Sequence, residues 1–252
     1  MTDISGSPDG LVVDEAGAGR PVLVLHGGGG PRTIAPISER LAAGAHVLAP
    51  TLPGWNGADR PERLQSAADY ADALIDHLHR AGLEDVVVIG SSLGGWLTSE
   101  MASRNREGRI AAIVVIDGAG ILVEGEPIVD FFSLTPREVA EHSWYDPDRF
   151  YVDPTAIPAD QRELQQANMT TMAAVFGGMN DPTLRGRLSE VRIPALVIWG
   201  DSDRIFTPGY GRAYADSFPD GRFELIRDAG HLPQLEQPEA TLALIEEFLS
   251  GV

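Results

Sequence analysis

Short uninterrupted apolar runs, each closed by glycine or proline, constrain this chain more than any other feature. Pro21-Val-Leu-Val-Leu25 ends in His26 and four glycines. His46-Val-Leu-Ala49 stops at Pro50, Val86-Val-Val-Ile89 at Gly90, and Pro194-Ala-Leu-Val-Ile-Trp199 at Gly200. The run from Ile110 to Ile116 meets Asp117-Gly118, and Phe223-Glu-Leu-Ile226 reads as a further strand. Runs without polar alternation are buried on both faces, as in a parallel sheet covered by helices. Helix-period stretches lie between them. Residues 66–81 put Tyr70, Leu74 and Leu78 on one face with Ala71 and Ile75, and Gly82 is a stop signal. Residues 93–104 and 209–217 read as further helices, and a last one starts near Pro238 with Leu242, Ile245, Phe248 and Leu249 inward. The alternation predicts an α/β fold of βαβ units. Leu11-Val-Val13, after the turn signal Pro8-Asp-Gly10, reads as an early hairpin strand.

Between residues 120 and 187 the rhythm breaks. Prolines recur and no buried strand is evident. The aromatics Phe131, Phe132, Trp144, Tyr145, Phe150, Tyr151 and Phe176 crowd here. Short helices are expected near 136–142 and 160–176. The division is therefore a core of residues 1–119 and 188–252, with a helical cap inserted at 120–187.

The length of 252 residues suits one large α/β domain with an insertion. A net charge of −18 disfavours nucleic acid and anionic membrane surfaces, which both recruit Lys and Arg. There is no cysteine, so disulfides, thiol catalysis and thiolate metal sites are excluded. Met1-Thr-Asp-Ile-Ser-Gly-Ser-Pro8 lacks the basic and apolar regions of a signal peptide. No apolar run approaches the roughly 20 residues that span a bilayer. The expectation is a cytoplasmic protein, monomer or homodimer, acting on a small molecule with no metal or organic cofactor.

Gly90-Ser91-Ser92-Leu93-Gly94 fits G-x-S-x-G between a strand and a helix. Such a corner holds the central serine strained and exposed at a helix N-terminus. The register selects Ser92, because Ser91 would need glycine at Ile89 and Leu93. The plainer alternative is an N-cap serine at an ordinary turn. A serine hydroxyl needs a base. Of six histidines, His77 and His79 lie on a helix and read as solvated, and His46 and His142 read as structural. His231, in Asp228-Ala-Gly-His-Leu-Pro233 after the last strand, is the candidate base. His26 has glycine-rich surroundings that suit another task. The acid that orients the base is sought in Gly200-Asp-Ser-Asp-Arg204. Asp203 gives the order nucleophile, acid, base, whereas Asp201 reads as a turn former and Asp117 is a third candidate. Oxyanion donors are expected at the backbone N–H of Leu93 and in His26-Gly-Gly-Gly-Gly30, with Gly28 first and Gly29 second. A phosphate loop is the alternative for those glycines, but the Lys-Ser/Thr that should follow is missing.

These residues together resemble an α/β-hydrolase-fold serine hydrolase. The matches are His26-Gly27, Pro53-Gly54-Trp55, the serine corner, Trp199-Gly-Asp-Ser-Asp-Arg204 with Pro208, and Gly230-His231 with Pro238-Glu239. The resemblance implies an eight-stranded, mostly parallel sheet with helices on both faces and a cap over the site. It also implies that the acid is Asp203. Serine at position 92 argues against the dehalogenase and epoxide hydrolase branches, which use aspartate there. The segment 177–208 resembles small carboxylesterases and meta-cleavage-product C–C hydrolases. The expected reaction is hydrolysis of a small or medium, largely apolar ester through an acyl-enzyme, with Trp96, Phe131, Phe132 and Trp144 as candidate substrate contacts. A C–C hydrolase, a cofactor-free perhydrolase and a non-catalytic ligand receptor on the same fold are the alternatives.

Overall fold

The computed structural model describes residues 11–252, so the Pro8-Asp-Gly10 turn signal lies outside the described residues. Seven strands form one sheet: β1 (Val12–Ala16), β2 (Pro21–Leu25), β3 (His46–Thr51), β4 (Val86–Ser91), β5 (Ile110–Ile116), β6 (Ala195–Gly200) and β7 (Gly221–Ile226). Their order is β1-β3-β2-β4-β5-β6-β7. The six strands from β2 to β7 pair in parallel, and β1 runs antiparallel to β3. The strand expected at Leu11–Val13 is present as β1, and the turn and partner of the expected hairpin lie outside the described residues. Both edges of β2 are taken by β3 and β4, which leaves β1 the outer edge of β3. Seven strands among the described residues are one fewer than the eight the resemblance implies.

The helices are α1 (Ala35–Leu41), α2 (Ala67–Arg80), α3 (Leu93–Ser103), α4 (Pro136–Ser143), α5 (Pro147–Phe150), α6 (Ala159–Phe176), α7 (Leu184–Leu188), α8 (Pro208–Ala215), α9 (Pro233–Glu236) and α10 (Pro238–Ser250). Strand side chains alternate between two cores, as the pleat dictates. Leu23, Leu25, Val86, Val88, Val197 and Trp199 join Tyr70 and Leu74 of α2, Leu97 and Met101 of α3 and Tyr214 of α8. Val22, Val24, Val87, Ile89, Leu196 and Ile198 join Ile37 of α1 and Leu242 and Ile245 of α10. Phe248 and Leu249 pack at the rim of that second core. Helix starts carry their own signals. The Ser66 hydroxyl accepts the Asp69 N–H at α2, Thr207 accepts the Tyr210 N–H at α8, and Thr135 and Glu138 form a capping box at α4. No helix among the described residues is long and apolar enough to cross a membrane.

Between β5 and β6 the chain leaves the sheet as α4 to α7. An isolated parallel bridge between Gly120 and Asn180 closes the neck of this excursion. Arg187 of α7 then fixes its return. The guanidinium forks onto the buried Glu100 carboxylate of α3 at 2.8 Å through each nitrogen, and also meets Asp181 at 2.6 Å. Asn168, Met172 and Phe176, spaced four apart, are the buried stripe of α6.

Candidate active site

The site forms where the parallel strands end. β4 finishes at Ser91, Ser92 takes φ 56° and ψ −116°, and α3 starts at Leu93. A non-glycine residue held there stores about 1–3 kcal/mol of backbone strain. Two glycines make the corner possible. A Cβ on Gly90 would lie 2.1 Å from the Gly94 carbonyl oxygen, and one on Gly94 would lie 2.2 Å from that of Leu25. The Ser92 N–H donates to Ile116 O at 2.9 Å, which pins the corner to β5. Its hydroxyl does not cap α3. Ser91, the neighbouring hydroxyl, is fully buried and accepts from Gln234 Nε2 at 3.0 Å.

Ser92 Oγ lies 2.9 Å from His231 Nε2, and His231 Nδ1 lies 2.8 Å from Asp203 Oδ2. An ionised carboxylate only accepts, so Nδ1–H donates to Asp203 and the Nε2 lone pair faces the serine O–H. Asp203 Oδ1 accepts the N–H groups of Ile205 at 2.8 Å and Phe206 at 3.2 Å, which fixes the carboxylate. All three residues are buried. Asp117 makes no hydrogen bond to His231. Its Oδ1 accepts the Gly200 N–H at 3.0 Å. Asp201 is exposed and accepts the Ser202 hydroxyl at 2.9 Å. Among the described residues, Asp117, Asp203 and His231 are a group with the donor types for a metal ion, their ligand atoms lying within 4.8 Å of one another. Two of them are already joined by the direct 2.8 Å hydrogen bond.

The loop carrying His231 is stitched to the excursion. The His231 N–H donates to Ser143 O at 2.6 Å. Glu236 of α9 accepts the Gly230 N–H at 2.5 Å on one oxygen and those of Tyr145 and Asp146 at 3.0 and 3.3 Å on the other. Burial pushes the Glu236 carboxyl above its ordinary pKa, and the three N–H groups oppose that.

Histidine 26 has both ring nitrogens engaged. Nδ1–H donates to Gly27 O at 2.7 Å and Nε2 accepts the Leu52 N–H at 3.0 Å. Burial lowers its pKa to about 4, so it is a neutral anchor for the glycine loop. That loop passes against the serine, since a Cβ on Gly27 would lie 2.9 Å from Ser92 Cβ. Trp55 Nε1 donates to Gly28 O at 3.0 Å. Leu93, the first residue of α3, has no intrahelical acceptor for its N–H. Gly29 is exposed and faces the Thr33 methyl.

The four aromatics expected at the substrate lie in three separate settings. Trp96 is buried on α3, edge-on to Phe176 at 5.7 Å between ring centroids. Trp144 stacks on Phe150 at 4.7 Å. Phe131 and Phe132 line a cleft of about 520 Å³ with residues 122, 123, 125–130 and 177–180, and neither Ser92 nor His231 borders it. Among the side chains that reach the glycine loop is Met172, whose Sδ would lie 2.3 Å from a Cβ on Gly28. Aromatic crowding hid Met172, although the spacing Asn168, Met172, Phe176 marks that helix face. Glu236 and Gln234 were likewise missed, because their partners are backbone groups and a hydroxyl from distant segments. His77, read as solvated, is half-buried, with a buried Nε2 that has no hydrogen-bond partner.

A family model described as Alpha/beta hydrolase family matches residues 22–244. The chain is 30% identical to the pimeloyl-[acyl-carrier protein] methyl ester esterase of Aromatoleum aromaticum, over 92% of this chain and 99% of that protein. It is 27% identical to a 2-hydroxymuconate semialdehyde hydrolase of Pseudomonas putida, over 94% of this chain and 89% of that protein. Among solved structures it is similar to a thermophilic esterase from Thermogutta terrifontis. That likeness has a TM-score of 0.77 and 25% identity, covering 96% of this chain and 93% of that one.

Proposed function

The chain belongs to the alpha/beta hydrolase family, and from that premise we propose that it hydrolyses a small or medium, largely apolar carboxylic ester through an acyl-enzyme on Ser92. The observation that carries the reading is the hydrogen-bonded line Ser92–His231–Asp203, at 2.9 and 2.8 Å, beginning on a strained corner. His231 Nε2 takes the Ser92 proton as Oγ attacks the ester carbonyl. Asp203 holds the imidazole tautomer and balances the imidazolium. The N–H groups of Leu93 and Gly28 receive the oxyanion, each contributing about 2.7–4 kcal/mol to the barrier reduction. His231 then returns the proton to the leaving alkoxide, and water resolves the acyl-enzyme by the same steps. An esterase relative at 30% identity supports the ester over other acyl substrates. Met172 over Gly28 supports an apolar acyl contact.

Ser92→Ala is expected to abolish turnover of a p-nitrophenyl acyl ester and labelling by a fluorophosphonate, with the circular dichroism spectrum unchanged. Undiminished turnover would sink the assignment. A second reading, hydrolysis of a C–C bond in a vinylogous diketone, is favoured by the 27% identical relative from Pseudomonas putida. Side-by-side kcat/KM for such a dienoate and for a simple ester decides between them.

A further inference from the structure

Asp117 plays no part in the reaction proposed above, yet it is fully buried beside the reacting line. It follows β5 with φ 44°, and its N–H donates to Ile198 O at 3.0 Å. One carboxyl oxygen, Oδ1, accepts the Gly200 N–H. The other, Oδ2, is buried and meets no hydrogen-bond donor. A buried carboxylate oxygen left without a donor is rare, because its desolvation is uncompensated. The charged and titratable groups that face Asp117 are Asp203 after β6, His231 after β7 and Glu236 of α9. Two of these three are acids. Asp203 accepts from Ile205 and Phe206 on one oxygen and from His231 on the other. Two ionised carboxylates at this spacing in a dry site repel, and one of them is expected to hold a proton.

We propose that Asp117 is a neutral carboxylic acid that donates a hydrogen bond from Oδ2 to the Asp203 carboxylate, as a positioning residue for His231. One proton removes both anomalies. The orphaned oxygen becomes a donor, and the site carries a single negative charge opposite the imidazole. Burial first, and the Asp203 charge second, push the Asp117 carboxyl well above its ordinary pKa in the same direction. Protonated Asp117 thus leaves Asp203 as the acceptor for His231 while restraining its rotamer through a further contact. The catalytic consequence rests on the reading of Ser92, His231 and Asp203 given above, whereas the protonation does not.

The test is infrared difference spectroscopy at neutral pH on the whole chain. Asp117→Asn keeps an acceptor for the Gly200 N–H and a donor for Asp203, but has no ionisable proton. The wild type is expected to show the C=O stretch of a protonated carboxylic acid, Asp117→Asn to lose it, and Glu236→Gln to retain it. Carbon-13 NMR of aspartate-labelled wild-type protein reads the same carboxyl without any substitution. Asp117→Asn is expected to keep ester turnover within about threefold, against a loss on the order of 10⁴-fold for Asp203→Asn. Absence of the band, its survival in Asp117→Asn, or a loss of turnover there matching Asp203→Asn would each overturn the proposal. If Ser92→Ala stays active, the hydrolase reading fails, and the spectra still report on the proton.

Discussion

Ser92 is held where a serine does not rest by choice. Its positive φ is enforced by the hydrogen bond to Ile116 O and by glycines that let the chain pass itself. Replacing it by glycine relaxes the backbone, whereas alanine does not. Ser92→Gly is therefore expected to be more stable than Ser92→Ala by about 1 kcal/mol in urea denaturation. Gly90→Ala drives a Cβ to 2.1 Å from the Gly94 carbonyl. It should destabilise by more than about 3 kcal/mol, read as lost soluble yield or a lower denaturation midpoint. His26 makes a pH prediction. Its folded pKa of about 4 lies below the unfolded value of 6.5, so the unfolded chain binds the extra proton between them. Stability therefore falls as pH drops from about 6.5 to about 4, by roughly 3 kcal/mol from this group, and this contribution is flat below that. Histidine NMR should find one imidazole still neutral at about pH 5.

At the scale of elements, two of the devices that tie the excursion to the core can be tested separately. The first is α6, which lays Met172 over Gly28 and pairs Asn168 with Asn56 through 2.8 and 3.0 Å hydrogen bonds. Met172→Ala removes the side chain that faces the glycine loop. Its kcat/KM profile over p-nitrophenyl acyl esters should shift toward longer chains, with a stability loss of about 2–5 kcal/mol because the side chain is buried. An unchanged chain-length profile would remove Met172 from the substrate path. The second device is the Arg187 fork on Glu100. Arg187→Ala leaves a carboxylate buried on the helix that begins at the nucleophile. It should lower unfolding free energy by about 3 kcal/mol, the low end for such a pair because Arg104 stays 3.2 Å from Glu100.

Across the whole molecule the net charge of −18 acts as a self-repelling field. Added salt screens it over about 10 Å at 0.1 M, so Tm should rise between low and physiological ionic strength. The same field should make kcat/KM for an anionic ester increase with salt, while a neutral ester shows no such dependence. Most of the architecture was legible because the buried strands announce themselves twice, by continuous apolar character and by the glycine or proline that follows within two residues. Strands β2 to β6, the serine corner and the loop after β6 were read in this way. The pairing of β1 with β3 was not legible, because pairing is a property of free edges, which the local pattern does not contain.

The sequence by itself determined which residues can share one line of chemistry. The spacing of glycines around Ser92, the Asp203 turn after a buried run and His231 after the last strand are local signals, each dictated by backbone sterics. Only the tertiary structure shows which acid hydrogen-bonds His231, because Asp203 and Asp117 follow adjacent strands and local pattern does not separate them. Likewise, only the tertiary structure brings Met172 against the glycine loop. Which face of an inserted helix meets the sheet depends on the neck at Gly120 and Asn180 and on Arg187, contacts between residues far apart in the chain. Such contacts leave no periodicity to read, since they are fixed by packing rather than by the local conformational preferences of the chain.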